Sequence, residues 1–197
     1  GVVAVLTGRE IKEDSDPFLI VLRQPMDQWS LAVDRVRFVG EAIAIVVAED
    51  RYIAEDAVDD IKVKYRKLPA VIDPLAAVAK DAPLVHPAVG SNVPSDRHFT
   101  YGEPDRCFAE ADKVVSITID YPRNSQPPLE GYVVVADYQA GEGVYDVLCN
   151  FQGPFTVHPV MSKALRCQGA QLRIRTPAYS GGGFGVKQAI FPYVVLM

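Results

Sequence analysis

Apolar positions along this chain change period several times, and each change predicts an element. Gly1 to Leu6 is a strand-like apolar run. Arg35–Val39 and Ala42–Val47 are β-rich and interrupted by Gly40, which predicts a strand, a turn or kink, and a buried strand. Asp50 is placed to cap a helix from Arg51 to about Asp60, in which Ile53, Ala54, Ala57, Val58 and Ile61 fall at helical spacing. Ile61 to Tyr65 alternates as a strand, and Leu68-Pro69 and Asp73-Pro74 break the pattern. Residues 74–102 hold Pro74, Pro83, Pro87 and Pro94 among Gly and Ser, and read as an extended, surface-crossing connection.

Periodicity returns near Gly102. Pro104 to Ala111 suits a short helix with Phe108 and Ala111 on one face, and Val114 to Tyr121 alternates as a strand. Tyr132–Asp137 and Val144–Cys149 predict two strands about a Gly141-Glu142-Gly143 turn. A helix follows Gly153 and Pro154, with Val157, Met161, Ala164 and Leu165 on its apolar face; Pro159 could mark its first turn equally well. Gln171–Arg175 is a strand leading into Ser180-Gly181-Gly182-Gly183-Phe184-Gly185, and Ala189–Met197 is apolar again. No internal repeat is visible. The fold class is α+β.

Composition narrows the function classes. The chain has 197 residues, 49% of them hydrophobic, enough to bury a sizeable core. Its net charge is −5 with scattered basic residues, which argues against a nucleic-acid surface. No apolar stretch approaches the roughly 18–20 residues a membrane span needs, and no signal peptide is visible. Both ends fall in apolar runs, so the sequence reads as a piece of a longer polypeptide. Cys107, Cys149 and Cys167 form no C-x-x-C pair, so neither a zinc site nor an iron–sulfur cluster is encoded. Three buried structural thiols in a reducing, cytoplasmic compartment are expected. His86 and His98 match no metal spacing.

Three stretches could carry chemistry. The glycine run is the first, since each ordered glycine costs about 0.5–1 kcal/mol relative to alanine. A chain accepts that where backbone must adopt φ > 0 or a ligand must meet bare N–H groups. The run is neither a Walker A loop nor a clean dinucleotide fingerprint. Second, Gln152 in Phe151-Gln152-Gly153-Pro154 sits at a strand end and offers uncharged donors and an acceptor. Third, Glu130 in Pro127-Pro128-Leu129-Glu130-Gly131 is expected at the surface or paired with a cation, with catalysis the minor reading. His158 has no evident partner for a nucleophilic set.

In this order, Phe151-Gln152-Gly153-Pro154-Phe155 and Ser180 to Lys187 resemble the molybdenum hydroxylases, the family of xanthine dehydrogenases, aldehyde oxidases and the large subunit of aerobic carbon monoxide dehydrogenases. Arg35 to Val46 and Tyr65 to Val71 resemble that family's hammerhead signature. Pro128-Leu129-Glu130-Gly131 is similar to its Pro-Met-Glu-Pro segment. The resemblance implies a hammerhead-like α/β module over 1–80, an extended linker over 81–102, and the first part of a molybdopterin-binding α+β domain over 103–197. It also implies a molybdenum–molybdopterin cofactor, with the cytosine dinucleotide form left open. Gln152, Gly182, Gly183, Phe184 and Gly185 would contact that cofactor, the amides of Gly183 and Gly185 being bare donors. Gln188 would be near the substrate, and no direct metal ligand or catalytic residue is assigned.

The implied reaction hydroxylates an electron-poor carbon with water-derived oxygen and passes electrons through 2Fe-2S centres to FAD on partner subunits or domains. The remainder of the large subunit and a small-molecule substrate complete the implied partners. Two departures matter. Val186 replaces a glycine many members carry, and Gln188 stands where xanthine dehydrogenases place a substrate-binding glutamate. An aldehyde, N-heterocycle or aromatic substrate is therefore expected rather than xanthine, and the isolated chain is expected to be inactive. A non-catalytic assembly module and a phosphate- or nucleotide-binding protein using Lys187 are the competing readings.

Overall fold

The computed structural model describes residues 1–18, 26, 28–122, 124–189 and 191–197. In the first part, β1 (Val2–Thr7) pairs antiparallel with β2 (Ala44–Ala48), from Val2 opposite Ala48 to Thr7 opposite Ala44. Thr7 ends β1 and caps α1 (Gly8–Asp14): its hydroxyl accepts from Arg9 N, and Glu10 Oε2 accepts from Thr7 N at 2.7 Å. Gly8 is required here because a Cβ would lie 2.2 Å from the Ala32 carbonyl oxygen. As the periodicity predicts, α2 (Arg51–Asp59) starts at Asp50, whose carboxylate accepts from Ile53 N at 2.9 Å.

Three expected strands do not form. Arg35–Val39 runs irregularly into a turn at Gly40, where φ is +94°, and Val39 is fully exposed. Ile61–Tyr65 and Val114–Tyr121 are also outside any strand, with their side chains largely exposed. The alternation is real, but a strand exists only where a neighbour takes its backbone N–H and C=O groups. No described strand lies beside these segments.

The connection is more ordered than an extended linker. It contains α3 (Pro74–Ala77), capped by Asp73, and a 3-10 turn over Pro87–Val89. The Asn92 carboxamide ties it together, accepting from Val85 N and donating to the carbonyls of Ala77 and Pro83. Beyond it, α4 (Pro104–Glu110) forms as its proline start predicts. Its intended apolar face is open: Phe108 and Ala111 are both exposed.

A second sheet has the order β3-β4-β5. β3 (Val134–Gln139) and β4 (Val144–Cys149) form an antiparallel hairpin, from Val134 opposite Cys149 to Gln139 opposite Val144. α5 (Pro154–Ala164) then crosses over to β5 (Leu172–Arg175), which runs parallel to β4. Pro154 occupies the first turn of α5, and Pro159 lies inside the helix, where it removes one intrahelical hydrogen bond. His158 plays a structural part: its Nε2 lies 2.8 Å from the Leu172 carbonyl, joining α5 to β5. The chain ends in α6 (Phe191–Leu196); Ile190 of the expected apolar stretch is outside the described residues.

The main core gathers Val147, Cys149, Phe151, Val157, Met161, Ala164, Leu172 and Val194. Phe18, from the first part of the chain, belongs to the same cluster. The two parts are also tied by polar contacts. Asp16 N donates to the Ala164 carbonyl at 2.9 Å. The Arg166 guanidinium donates to the carbonyls of Lys12, Glu13 and Ser15 and pairs with Asp16 at 3.0 Å. The thiol expectation needs one correction. Cys149 is buried and Cys167 half-buried, but Cys107 is exposed on α4, whose open face gives it no core to enter. Among the described residues, no helix is long and apolar enough to cross a membrane, and no group of side chains could hold a metal ion.

Candidate functional site

β4 delivers its last residues to the rim of the core. Cys149, Asn150 and Phe151 are buried just at and past its end, and Gln152 is the first residue to emerge into solvent. Gly153 follows at φ +67°, turning the chain into α5. The glycine loop approaches this corner from β5. Gly185 N donates to Gln152 Oε1 at 2.7 Å, and Gln152 N donates to the Lys187 carbonyl at 3.4 Å. Two stretches more than thirty residues apart thus meet through both side chain and backbone.

The glycines divide by purpose. Gly182 and Gly185 adopt φ of +94° and +81°, which favour glycine. Gly181 and Gly183 do not, but each leaves no room for a side chain. A Cβ on Gly183 would lie 2.6 Å from Gln152 Oε1, and one on Gly181 would lie 2.6 Å from Glu130 Cβ. Phe184 holds φ +50°, a strained value for a side-chain-bearing residue, and its carbonyl accepts from Gln126 Nε2 at 3.1 Å. Its ring is exposed.

One expectation is corrected by this geometry. The amide of Gly185 is not bare; it orients Gln152. A backbone N–H can only donate, so the carboxamide oxygen faces it and the NH₂ group is left outward as the free donor. Gly182, Gly183 and Phe184 make no N–H hydrogen bond among the described residues. The unbonded amides of Gly182, Gly183 and Phe184 and the unbonded Gln152 carboxamide NH₂ leave this corner rich in donors, which suits an anionic ligand.

Beneath the loop lies a cluster that the sequence did not reveal. Lys187 is 0% exposed, and its ammonium pairs with Glu130 and lies 3.3 Å from Ser180 Oγ. Glu130 Oε2 also accepts from Gly181 N at 3.0 Å, Ser180 Oγ at 3.2 Å and Asn150 Nδ2 at 3.0 Å. The Lys187 ammonium, with the Gly181 amide and Asn150, lowers the Glu130 pKa to about 2. Glu130 therefore has the cation partner expected of it, while Lys187 is unavailable to a phosphate. Gln188 is half-buried beside Gly153, whose Cβ position would be 3.8 Å from Gln188 Nε2. The sequence pattern does not single out Asn150, Gln126 or the burial of Lys187; position next to Phe151 and the glycine loop is the available signal.

Two family models match the chain: "Aldehyde oxidase and xanthine dehydrogenase, a/b hammerhead domain" over residues 1–69, and "Molybdopterin cofactor-binding domain" over residues 85–197. The chain belongs to the molybdenum hydroxylase family and carries a segment of its molybdopterin cofactor-binding domain. It is 36% identical to the carbon monoxide dehydrogenase large chain of Hydrogenophaga pseudoflava, a match covering 98% of this chain and 25% of that one. It is 33% identical to the nicotine 6-hydroxylase large subunit of Paenarthrobacter nicotinovorans, covering 85% of this chain and 20% of that subunit. The crystal structure of quinoline 2-oxidoreductase from Pseudomonas putida 86 superposes with a TM-score of 0.87 at 31% identity, over 100% of this chain and 25% of that one. The chain thus spans about a quarter or less of the length of these relatives. The hammerhead and cofactor-domain expectations for the fold are met.

Proposed function

We propose that this chain forms one wall of the cofactor site in the large subunit of a molybdenum-dependent hydroxylase. The observation that carries the reading is the Gly185–Gln152 hydrogen bond at 2.7 Å, which joins the strand-end glutamine to the glycine loop. When bound, the molybdenum–pterin group would supply oxidative hydroxylation of a carbon with oxygen from water. The chain's own contribution is placement. Gln152 would offer its Nε2 as a donor to that cofactor, and the amides of Gly182, Gly183 and Phe184 would offer it partial positive charge. The exposed Phe184 ring, set between glycines, would be available to cover that face. Fold and family support the pterin; they are equally consistent with a cytosine dinucleotide extension.

The substrate proposed is an aldehyde or an N-heterocyclic or aromatic carbon. Gln188 supports it, because a neutral carboxamide beside Gly153 can hydrogen-bond a ring nitrogen or carbonyl but cannot exchange a proton with a purine. The proposed organisation keeps 1–80 as the hammerhead-like module, 81–102 as the connection and 103–197 as the first part of the cofactor domain. Iron–sulfur and flavin subunits or domains are proposed to carry electrons away, and the unpaired thiols support a cytoplasmic setting.

The test uses the full-length protein that contains this chain. Metal and pterin analysis should find about one molybdenum per chain, and turnover should favour aldehydes or N-heterocycles over xanthine. Gln152→Ala should lower kcat by about 100- to 1,000-fold, the scale of losing one pre-oriented donor. Absence of molybdenum from the full-length protein, or unchanged kcat in the Gln152 variant, would overturn the reading.

A further inference from the structure

We infer that Glu130 and Lys187 are positioning residues for this wall: together they hold the glycine loop in the arrangement that turns the Gln152 carboxamide nitrogen outward. The inference rests on reading Gln152 as a cofactor contact. Lys187 is fully buried, which is costly for an ammonium unless charge and hydrogen bonds compensate. Its compensation comes from Glu130 and from Ser180 Oγ. Both partners anchor the start of the loop, since Glu130 Oε2 also accepts from Ser180 Oγ and Gly181 N.

The backbone of Lys187 serves the other end. Lys187 N donates to the Gly183 carbonyl at 3.3 Å, and the Lys187 carbonyl accepts from Gln152 N at 3.4 Å. One residue therefore reaches back seven positions with its side chain and bonds both the loop centre and the Gln152 backbone with its main chain. The loop closes on itself like a clasp.

Glu130 is in turn fixed to the sheet. Asn150, itself buried, donates to Glu130 Oε2 at 3.0 Å and to the Gly131 carbonyl at 2.7 Å, and accepts from Val133 N at 3.0 Å. A path of hydrogen bonds runs from the end of β4 through Asn150 and Glu130 into the loop and back to Gln152. Loss of the Glu130 charge would leave a buried ammonium without its counter-ion, and the loop would relax to let Lys187 reach water. Gly185 N would then lose its place opposite Gln152 Oε1, and the carboxamide could rotate.

The test compares the full-length holoenzyme with Glu130→Gln, Gln152→Ala and the double variant, using hydrogen exchange and the molybdenum midpoint potential. In Glu130→Gln, exchange over 180–188 should rise about tenfold, the scale of a lost charge-assisted hydrogen bond, while the β3–β4 hairpin is unchanged. The midpoint potential should shift in the same sense as in Gln152→Ala, and the double variant should match Gln152→Ala alone, because both act through one carboxamide. Potential shifts that simply add, or loop exchange and potential that stay at wild-type values, would overturn the inference. If Glu130→Gln binds no metal, exchange is compared between the metal-free proteins, and unchanged protection over 180–188 overturns it there. A wild-type protein that never binds molybdenum refutes the functional reading instead, and that outcome is separate from the exchange result.

Discussion

Gly183 is a residue at which one added carbon atom would reach the site directly. Its missing Cβ makes room for Gln152 Oε1. Gly183→Ala should push the exposed Gln152 carboxamide off Gly185 N with little change in global stability, so hydrogen exchange at Gly185 N should rise while the denaturation midpoint of the full-length protein stays near wild type. Gly185→Ala meets no neighbour within 4 Å but sits at φ +81°, so its cost should be backbone strain alone, about 1 kcal/mol. The carboxylate of Glu130 sets a pH window. Its pKa falls from the ordinary 4.5 to about 2 on folding, so its contribution is complete above pH 4.5 and is lost as pH falls from there toward 2. Loop protection measured by hydrogen exchange should follow that window in wild type and be flat across it in Glu130→Gln.

At the scale of elements, Arg166 clamps the two parts of the chain together. Its guanidinium meets three carbonyls at the C-terminal end of α1, the end where a helix favours positive charge. It does so from φ +53°, an unfavourable backbone value for arginine. Arg166→Ala should cost roughly 1–2 kcal/mol, and Arg166→Gly about 1 kcal/mol less than that, because glycine relieves the backbone while losing the same contacts. Comparing the two denaturation midpoints separates clamp from strain.

The same scale shows what was legible in the sequence. α2, α4, α5, the β3–β4 hairpin and β5 were readable because a cap, a first-turn proline or a glycine turn sits beside each apolar period. Arg35–Val39, Ile61–Tyr65 and Val114–Tyr121 were misread because alternation describes a residue's two faces and says nothing about a partner strand. At the site, Gln152 and the glycine loop were legible as residue types in order. The burial of Lys187 was not, because lysine near a glycine turn ordinarily points to solvent. Only the fold brings Glu130 within reach of it.

Taken as a whole, the molecule is unevenly packed. Its core lies under β4 and α5, while Phe99, Tyr101, Val115, Ile117, Ile119 and Tyr121 all stand exposed on the irregular segments that flank α4. Apolar surface of that extent marks an interaction face or an association hazard. The 197-residue chain by itself should bind a hydrophobic dye and self-associate at micromolar concentration, with light scattering as the check; a dispersed monomer without dye binding would contradict the exposure. Phe18 has a different consequence, one of timing. It is buried among Met161, Val147 and Val194, residues that a ribosome makes long afterward. At about 5–20 residues per second, Phe18 leaves the peptidyl-transfer centre roughly 10–35 s before Val194 does. Throughout that interval Phe18 lacks the later residues it packs against in the folded chain, so its ring is a surface a holding chaperone would cover.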